Sequence, residues 1–240
     1  MAGRNPHRGH DDPHAGREVA TAGPDLEDAD AAVLFVHGRG ASAQGMLGMA
    51  DEFDVDGVAS LAPQARGRTW YPNSFLAPIE DNEPSLSSAL KLLGDLLRRI
   101  EDAGIPAERT MFVGFSQGAC LACEFVARNA RRYGGVAALS GGVVGPDGTP
   151  LDYDGSLGGA RTVGSRASSD RRSDGGTPVF LGCSDSDPHI PLERVHETRD
   201  VFEDLDADVE ERIYEGMGHG VNQDELEHVR EMVENLVSSE

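Results

Sequence analysis

Lysine is almost absent from this chain; Lys91 is the only one in 240 residues. Cations are scarce altogether, with 21 Lys plus Arg against 42 Asp plus Glu and a formal net charge of −21. A surface this acidic repels nucleic-acid phosphates and anionic membranes, so neither is an expected partner. It also repels itself, and molar salt, which cuts the Debye length to roughly 3 Å, relieves that repulsion. A GC-rich genome alone can deplete lysine, but the acid excess points to the cytoplasm of a halophile.

Long apolar runs are missing as well. No segment reaches the roughly 18 consecutive apolar residues that a membrane-spanning helix needs. Residues 1–30, rich in His, Asp, Gly, Arg and Pro, lack the apolar centre of a secretory signal. A soluble, cytoplasmic protein is expected. Cysteine is limited to Cys120, Cys123 and Cys183, which is neither a disulfide framework nor a zinc-ligand pattern. The first two form a CxxC, yet they fall in ACLACEFVA, which reads as an apolar helix where small thiols pack against a sheet. Neither G-x-G-x-x-G nor a Walker pattern occurs, so phosphate and dinucleotide sites have no support.

What is present is alternation. Apolar runs AVLFVH (32–37), VASLAP (58–63), MFVGFS (111–116), VAALSG (136–141), PVFLGC (178–183) and VEERIYEG (209–216) read as strands, several of them apolar enough to be covered on both faces. Between them, SLSSALKLLGDLLRRIEDAG (85–104) spaces Leu86, Leu90, Leu93, Leu97 and Ile100 as one helical face, with Ser85 as the expected cap and Gly104 as the stop. Helices are also expected over 117–132, 191–205 and 222–237. Strand–helix alternation predicts a single doubly wound, mostly parallel sheet with helices on both faces. Functional loops then gather at the carboxyl ends of the strands.

Two stretches stand outside that rhythm. Residues 1–24 read as a polar, disordered tail preceding a 25–240 domain; its His7, His10 and His14 are solvated rather than metal-binding in this reading. Residues 145–176, rich in Gly, Ser, Asp and Arg, read as a solvated insertion.

The chemistry is concentrated after three strands. MFVGFS runs into Gly114-Phe115-Ser116-Gln117-Gly118 and then a helix, the context in which G-x-S-x-G presents a serine on a sharp turn. A serine hydroxyl needs a base, and the base an orienting carboxylate; on this elbow they follow the serine in the order acid, then His. After PVFLGC comes Ser184-Asp185-Ser186-Asp187-Pro188-His189, where spacing alone leaves both Asp185 and Asp187 open. After the last strand, His219 sits among Gly216, Gly218 and Gly220. His189 is too near Asp187 in sequence to face it as the base, and His196 and His228 fall on helix surfaces. The oxyanion of a tetrahedral intermediate needs backbone donors. The Gln117 amide is one candidate, and the Arg39 amide in His37-Gly38-Arg39-Gly40 is the other.

At these residues the chain resembles the phospholipase/carboxylesterase family of α/β-hydrolases, through VLFVHGRGAS (33–42), GFSQGA (114–119), DPHIP (187–191) and GMGH (216–219). The resemblance implies an α/β-hydrolase fold and a triad of Ser116, Asp187 and His219, with Asp187 favoured because Pro191 follows it at the family's spacing. It implies hydrolysis of small-molecule carboxylic esters through an acyl-serine, with no metal or organic cofactor, and it leaves a homodimer open. APQARGRTWYPNSF (62–75) looks like the substrate-side segment of a prokaryotic subgroup, which would make Trp70 and Tyr71 pocket residues, although a lone Trp beside Tyr also suits a core. The loop before Asp187 is longer than in thioesterase-like members. Two rival readings share most of these residues: a thioesterase or lysophospholipase using the same triad, and a non-catalytic binding protein on the same fold. Dienelactone-type hydrolysis is disfavoured, because the nucleophile position holds Ser116 rather than cysteine.

Overall fold

A computed structural model describes residues 12–53, 55–158 and 175–238. Seven strands form one sheet in the order β1-β3-β2-β4-β5-β6-β7. They are β1 (Val19–Ala22), β2 (Ala31–Val36), β3 (Val58–Pro63), β4 (Thr110–Phe115), β5 (Gly135–Leu139), β6 (Pro178–Ser184) and β7 (Asp208–Tyr214). Only β1 runs antiparallel, against β3; the other neighbouring pairs are parallel. The crossovers include helices α1 (Ala43–Phe53), α2 (Ser85–Asp102), α3 (Gln117–Arg128) and α4 (Leu192–Asp204), and α5 (Gln223–Ser238) closes the chain.

Burial follows the period-two geometry of strands. In β2 every residue is buried. Ala32, Leu34 and Val36 face the cluster built by α2, α3 and α4, while Ala31, Val33 and Phe35 face the one built by α1 and α5. A strand covered on both faces has no polar side, which is why AAVLFV reads as an unbroken apolar run. The outer strand β7 alternates exposed and half-buried residues, and its charged DVEERIY sequence discourages edge-to-edge pairing.

The expected strands and long helices are all present, and two further elements join them. α1 carries Gly45 and Gly48, poor helix formers that weaken its signal. β1 is only four residues long and sits in an otherwise polar stretch that passes for tail. Its pairing corrects the expected tail in part: Val19–Ala22 lie in the sheet and His14 is buried, whereas His7 and His10 lie outside the described residues. The start of α2 also differs. Pro84 occupies the cap position, and no side chain caps the helix there; the Ser87 amide is instead taken by Glu83 Oε2 at 3.0 Å.

The polar stretch after β5 is tied down where it is described. Buried Arg194 on α4 donates to the Val143 and Gly145 carbonyls, and Glu124 on α3 accepts from the Val144 amide and the Tyr153 hydroxyl. Leu157 is fully buried. Residues 159–174 of the expected insertion lie outside the described residues. Among the described residues no helix is long and apolar enough to cross a membrane.

Candidate active site

β4 ends in a strained turn. Ser116 has φ 56° and ψ −122°, a left-handed conformation that costs a non-glycine residue of order 1–3 kcal/mol and is held only when its surroundings over-determine it. Two glycines make that turn sterically feasible. A Cβ on Gly118 would lie 2.0 Å from the Val36 carbonyl oxygen, and one on Gly114 would lie 2.6 Å from backbone atoms of residues 118 and 119. Helix α3 can therefore start directly against the ends of β2 and β4, with Ser116 at its N-terminus.

The loops after β6 and β7 come to meet this serine. His219 Nε2 lies 2.9 Å from Ser116 Oγ, and His219 Nδ1 lies 2.7 Å from Asp187 Oδ2. The other oxygen of Asp187 accepts the amides of His189 at 2.8 Å and Ile190 at 3.1 Å. Burial by itself raises the Asp187 carboxyl, but the His219 bond and the two amides outweigh it and hold it below the ordinary carboxylate value. An ionised Asp187 fixes the His219 proton on Nδ1 and leaves Nε2 free to accept from Ser116.

The residue that competed with Asp187 has a different job. Asp185 Oδ1 accepts the Gly216 amide at 2.8 Å, while Ser184 Oγ accepts the Gly218 amide at 3.0 Å. Both fasten the glycine-rich loop that carries His219. Loop length alone did not reveal this, because each bond spans more than 30 residues of chain. His189 packs edge-on to the His219 ring at 4.8 Å, and His196 and His228 pair with glutamates of β7, away from Ser116.

The oxyanion side is built from backbone. Gly38 sits where a Cβ would press on Phe115 at 3.2 Å and on the Ser116 Cβ at 3.4 Å, so the 37–40 loop lies close to the elbow. The Arg39 side chain turns outward and donates to the carbonyls of Tyr71, Pro72 and Asn73 at 3.0, 2.9 and 2.6 Å. The Gln117 side chain clamps the same segment, accepting from the Trp70 amide at 3.0 Å and donating to the Tyr71 carbonyl at 2.8 Å. These long-range bonds had no sequence signal beyond the residues themselves.

A cleft of about 480 Å³ opens over this arrangement, lined by Ser116, His219, Tyr71, Phe75, Ile190 and Arg39 among others. Tyr71 thus stands at the pocket as expected. Trp70 does not: it is fully buried and donates its indole N–H to the His37 carbonyl at 2.7 Å, so it supports the oxyanion loop from below. A larger groove between α2 and α3, about 660 Å³ and lined by Leu90, Leu97, Phe125 and Tyr133, holds no nucleophile with a base. The three cysteines are buried, and burial pushes Cys120 and Cys183 up to about 12, so these thiols are packing groups. Among the described residues no cluster of His, Cys, Asp or Glu is arranged to hold a metal ion.

A mostly parallel sheet carrying a serine elbow after its central strand defines an α/β-hydrolase. The phospholipase/carboxylesterase profile matches residues 19–152, and the chain belongs to that family of ester hydrolases. A solved phospholipase/carboxylesterase from Dyadobacter fermentans is 38% identical and superposes with a TM-score of 0.80, covering 91% of this chain and 96% of that one. Acyl-protein thioesterase 1 of Yarrowia lipolytica is 27% identical over 228 residues, or 86% of this chain and 92% of that protein. The Bacillus cereus carboxylesterase, at 18% identity and a TM-score of 0.65 over 93% of this chain and 96% of that one, shares the fold.

Proposed function

We propose that this protein is a serine carboxylesterase that cleaves short to medium acyl esters, with Ser116 as nucleophile, His219 as general base and acid, and Asp187 as its orienting carboxylate. The observation that carries the reading is the unbroken relay from Asp187 Oδ2 through His219 to Ser116 Oγ, at 2.7 and 2.9 Å. In this cycle His219 takes the Ser116 proton as Oγ attacks the ester carbonyl. The amides of Arg39 and Gln117 receive the developing oxyanion. Asp187 stabilises the imidazolium without itself being protonated. His219 then gives its proton to the departing alkoxide and afterwards draws one from the water that frees the acyl group.

The cleft volume supports small acyl groups, and its walls place Tyr71, Phe75 and Ile190 beside the nucleophile. Hydrolysis of p-nitrophenyl acetate, butyrate and octanoate in molar KCl tests the reading, with Ser116→Ala as control. Turnover that survives in that variant refutes the mechanism. Similarity to acyl-protein thioesterases of several fungi favours thioesters as the second substrate class, and an acyl-thioester panel on the same enzyme ranks the two. An acidic, lysine-poor chain fits a halophile's cytoplasm, where molar salt screens its surface.

A further inference from the structure

The segment preceding the family-matched region reaches the oxyanion side of the site. His14 is 1% exposed, and its one imidazole bridges both ends of the turn 66–70. The Arg66 amide donates to Nδ1 at 3.1 Å, and Nε2–H donates to the Trp70 carbonyl at 2.8 Å. An acceptor on one nitrogen and a donor on the other require a neutral ring. The imidazole also packs on the Trp70 indole, centroids 5.5 Å apart.

That turn needs holding. Gly67 and Arg68 are both left-handed, at φ 63° and 60°, and Arg68 bears a side-chain penalty that glycine escapes. The turn grips the oxyanion loop in two places. The Arg68 carbonyl accepts the Gly40 amide at 2.7 Å, one residue past Arg39, and the Trp70 indole N–H donates to the His37 carbonyl. His14 is in turn fixed to α2, since its amide donates to Ser88 Oγ at 2.9 Å and Ser88 donates to Asp12 at 2.6 Å.

We propose that His14 is a positioning residue for the oxyanion hole: by tying Arg66 to Trp70 it holds the turn that sets the place of the Arg39 amide. This rests on the acyl-serine reading above. The charged and titratable groups around His14 are Asp12, Arg17, Arg66 and, on the far side of Trp70, His37. Burial, with help from the two arginines, outweighs the Trp70 carbonyl and Asp12 and keeps His14 below its ordinary value, which favours the neutral form the bridge needs. Protonation would put a hydrogen on Nδ1 facing the Arg66 N–H and break the bridge.

His14→Phe keeps the ring on Trp70 and removes both hydrogen bonds. Expected are a roughly tenfold fall in kcat, a matching fall in affinity for a trifluoromethyl ketone whose hemiketal oxygen occupies the oxyanion hole, and little change in KM. His14→Gln, which restores one acceptor and one donor, should recover much of the loss. The acid limb of the wild-type kcat profile should contain a drop that His14→Phe no longer shows. A folded His14→Phe with unchanged kcat, or one whose activity falls only with its folded fraction while the folded protein binds the ketone normally, overturns the proposal. Should that variant not fold, Ser88→Ala loosens the His14 anchor: a smaller loss in both readouts supports the role, and none refutes it. Fluorophosphonate labelling of wild-type Ser116 checks the underlying reading separately. An unlabelled serine fails that reading, whereas a labelled serine with unaltered His14→Phe rates fails only this one.

Discussion

The two sides of Ser116 are assembled from different materials. On the Asp187–His219 side the groups that meet Ser116 are side chains on loops directly after β6 and β7, and the His219 loop is fastened by Asp185 and Ser184. On the side proposed to hold the oxyanion the groups are backbone amides, and the side chains that hold the surrounding chain are scattered: Arg39, Gln117 and His14 bond to residues 66–73, and Trp70 reaches from that segment to His37. A side chain that does chemistry can be placed by its own loop. A backbone amide has no reach of its own, so the surrounding chain must be held instead, and that takes contacts from distant parts of the sequence.

If that contrast is correct, damage on the relay side should be large and confined to the chemical step. Ser116→Ala should cost on the order of 10⁵- to 10⁶-fold in kcat on p-nitrophenyl butyrate, with folding intact. Asp187→Asn should cost about 10⁴-fold, because an amide in that place favours the wrong tautomer of His219; an equal loss in KM would argue that Asp187 shapes the cleft instead. As a depressed carboxyl, wild-type Asp187 should also contribute stability that is present above about pH 4 and lost as pH falls through its folded value. Chemical denaturation of wild type and Asp187→Asn across acid pH reads this.

Damage on the oxyanion side should be milder, falling on rate at His14 and mainly on binding at Arg39, whose side chain holds the cleft wall. Arg39→Ala removes three carbonyl contacts with the 71–73 segment while keeping the amide, so KM should rise about three- to tenfold with a smaller fall in kcat. A change of kcat alone in steady-state assays would mean that the Arg39 side chain, like His14, acts on the oxyanion amides and not on the cleft wall.

The smallest effect concerns neither amide nor relay chemistry but the helix that follows the His219 loop. Glu225 and Asn222 cap α5 reciprocally, yet Glu225 Oε1 is buried without a partner. Burial raises its carboxyl from 4.5 to about 7. The folded state then binds the extra proton between those values, so stability should fall as pH rises through that window, by up to about 3 kcal/mol. Glu225→Gln keeps the cap and removes the charge, so its melting temperature should exceed the wild type's at pH 8 and vary less with pH. Identical pH dependence in both would mean that Glu225 is solvated.

Ser116 and His219 were legible because each carries a local signature. Gly114 and Gly118 flank Ser116 because no Cβ fits there, and His219 sits among glycines that let its loop turn. The doubly wound sheet was legible for the same kind of reason, since strands buried on both faces have no polar side. β1, α1 and the segment that carries buried His14 left no such trace. Their stabilising contacts are to Pro63, Ser88 and Trp70, 44 to 74 residues away for the first and last segments, and no local pattern encodes a partner at that distance. Trp70 shows the limit from the other direction, because its neighbours in sequence suit a pocket wall while its indole N–H is spent on His37 beneath it.

The sequence by itself determined the fold class and pointed to Ser116 and His219, because backbone sterics and burial constrain residue type locally. The resemblance favoured Asp187, but only the tertiary structure showed Asp187 rather than Asp185 bonded to His219, Tyr71 rather than Trp70 on the cleft, and His14 bonded to both ends of the 66–70 turn. Those outcomes depend on distances between residues far apart in the chain, and such distances are fixed only when the strands and loops are packed together.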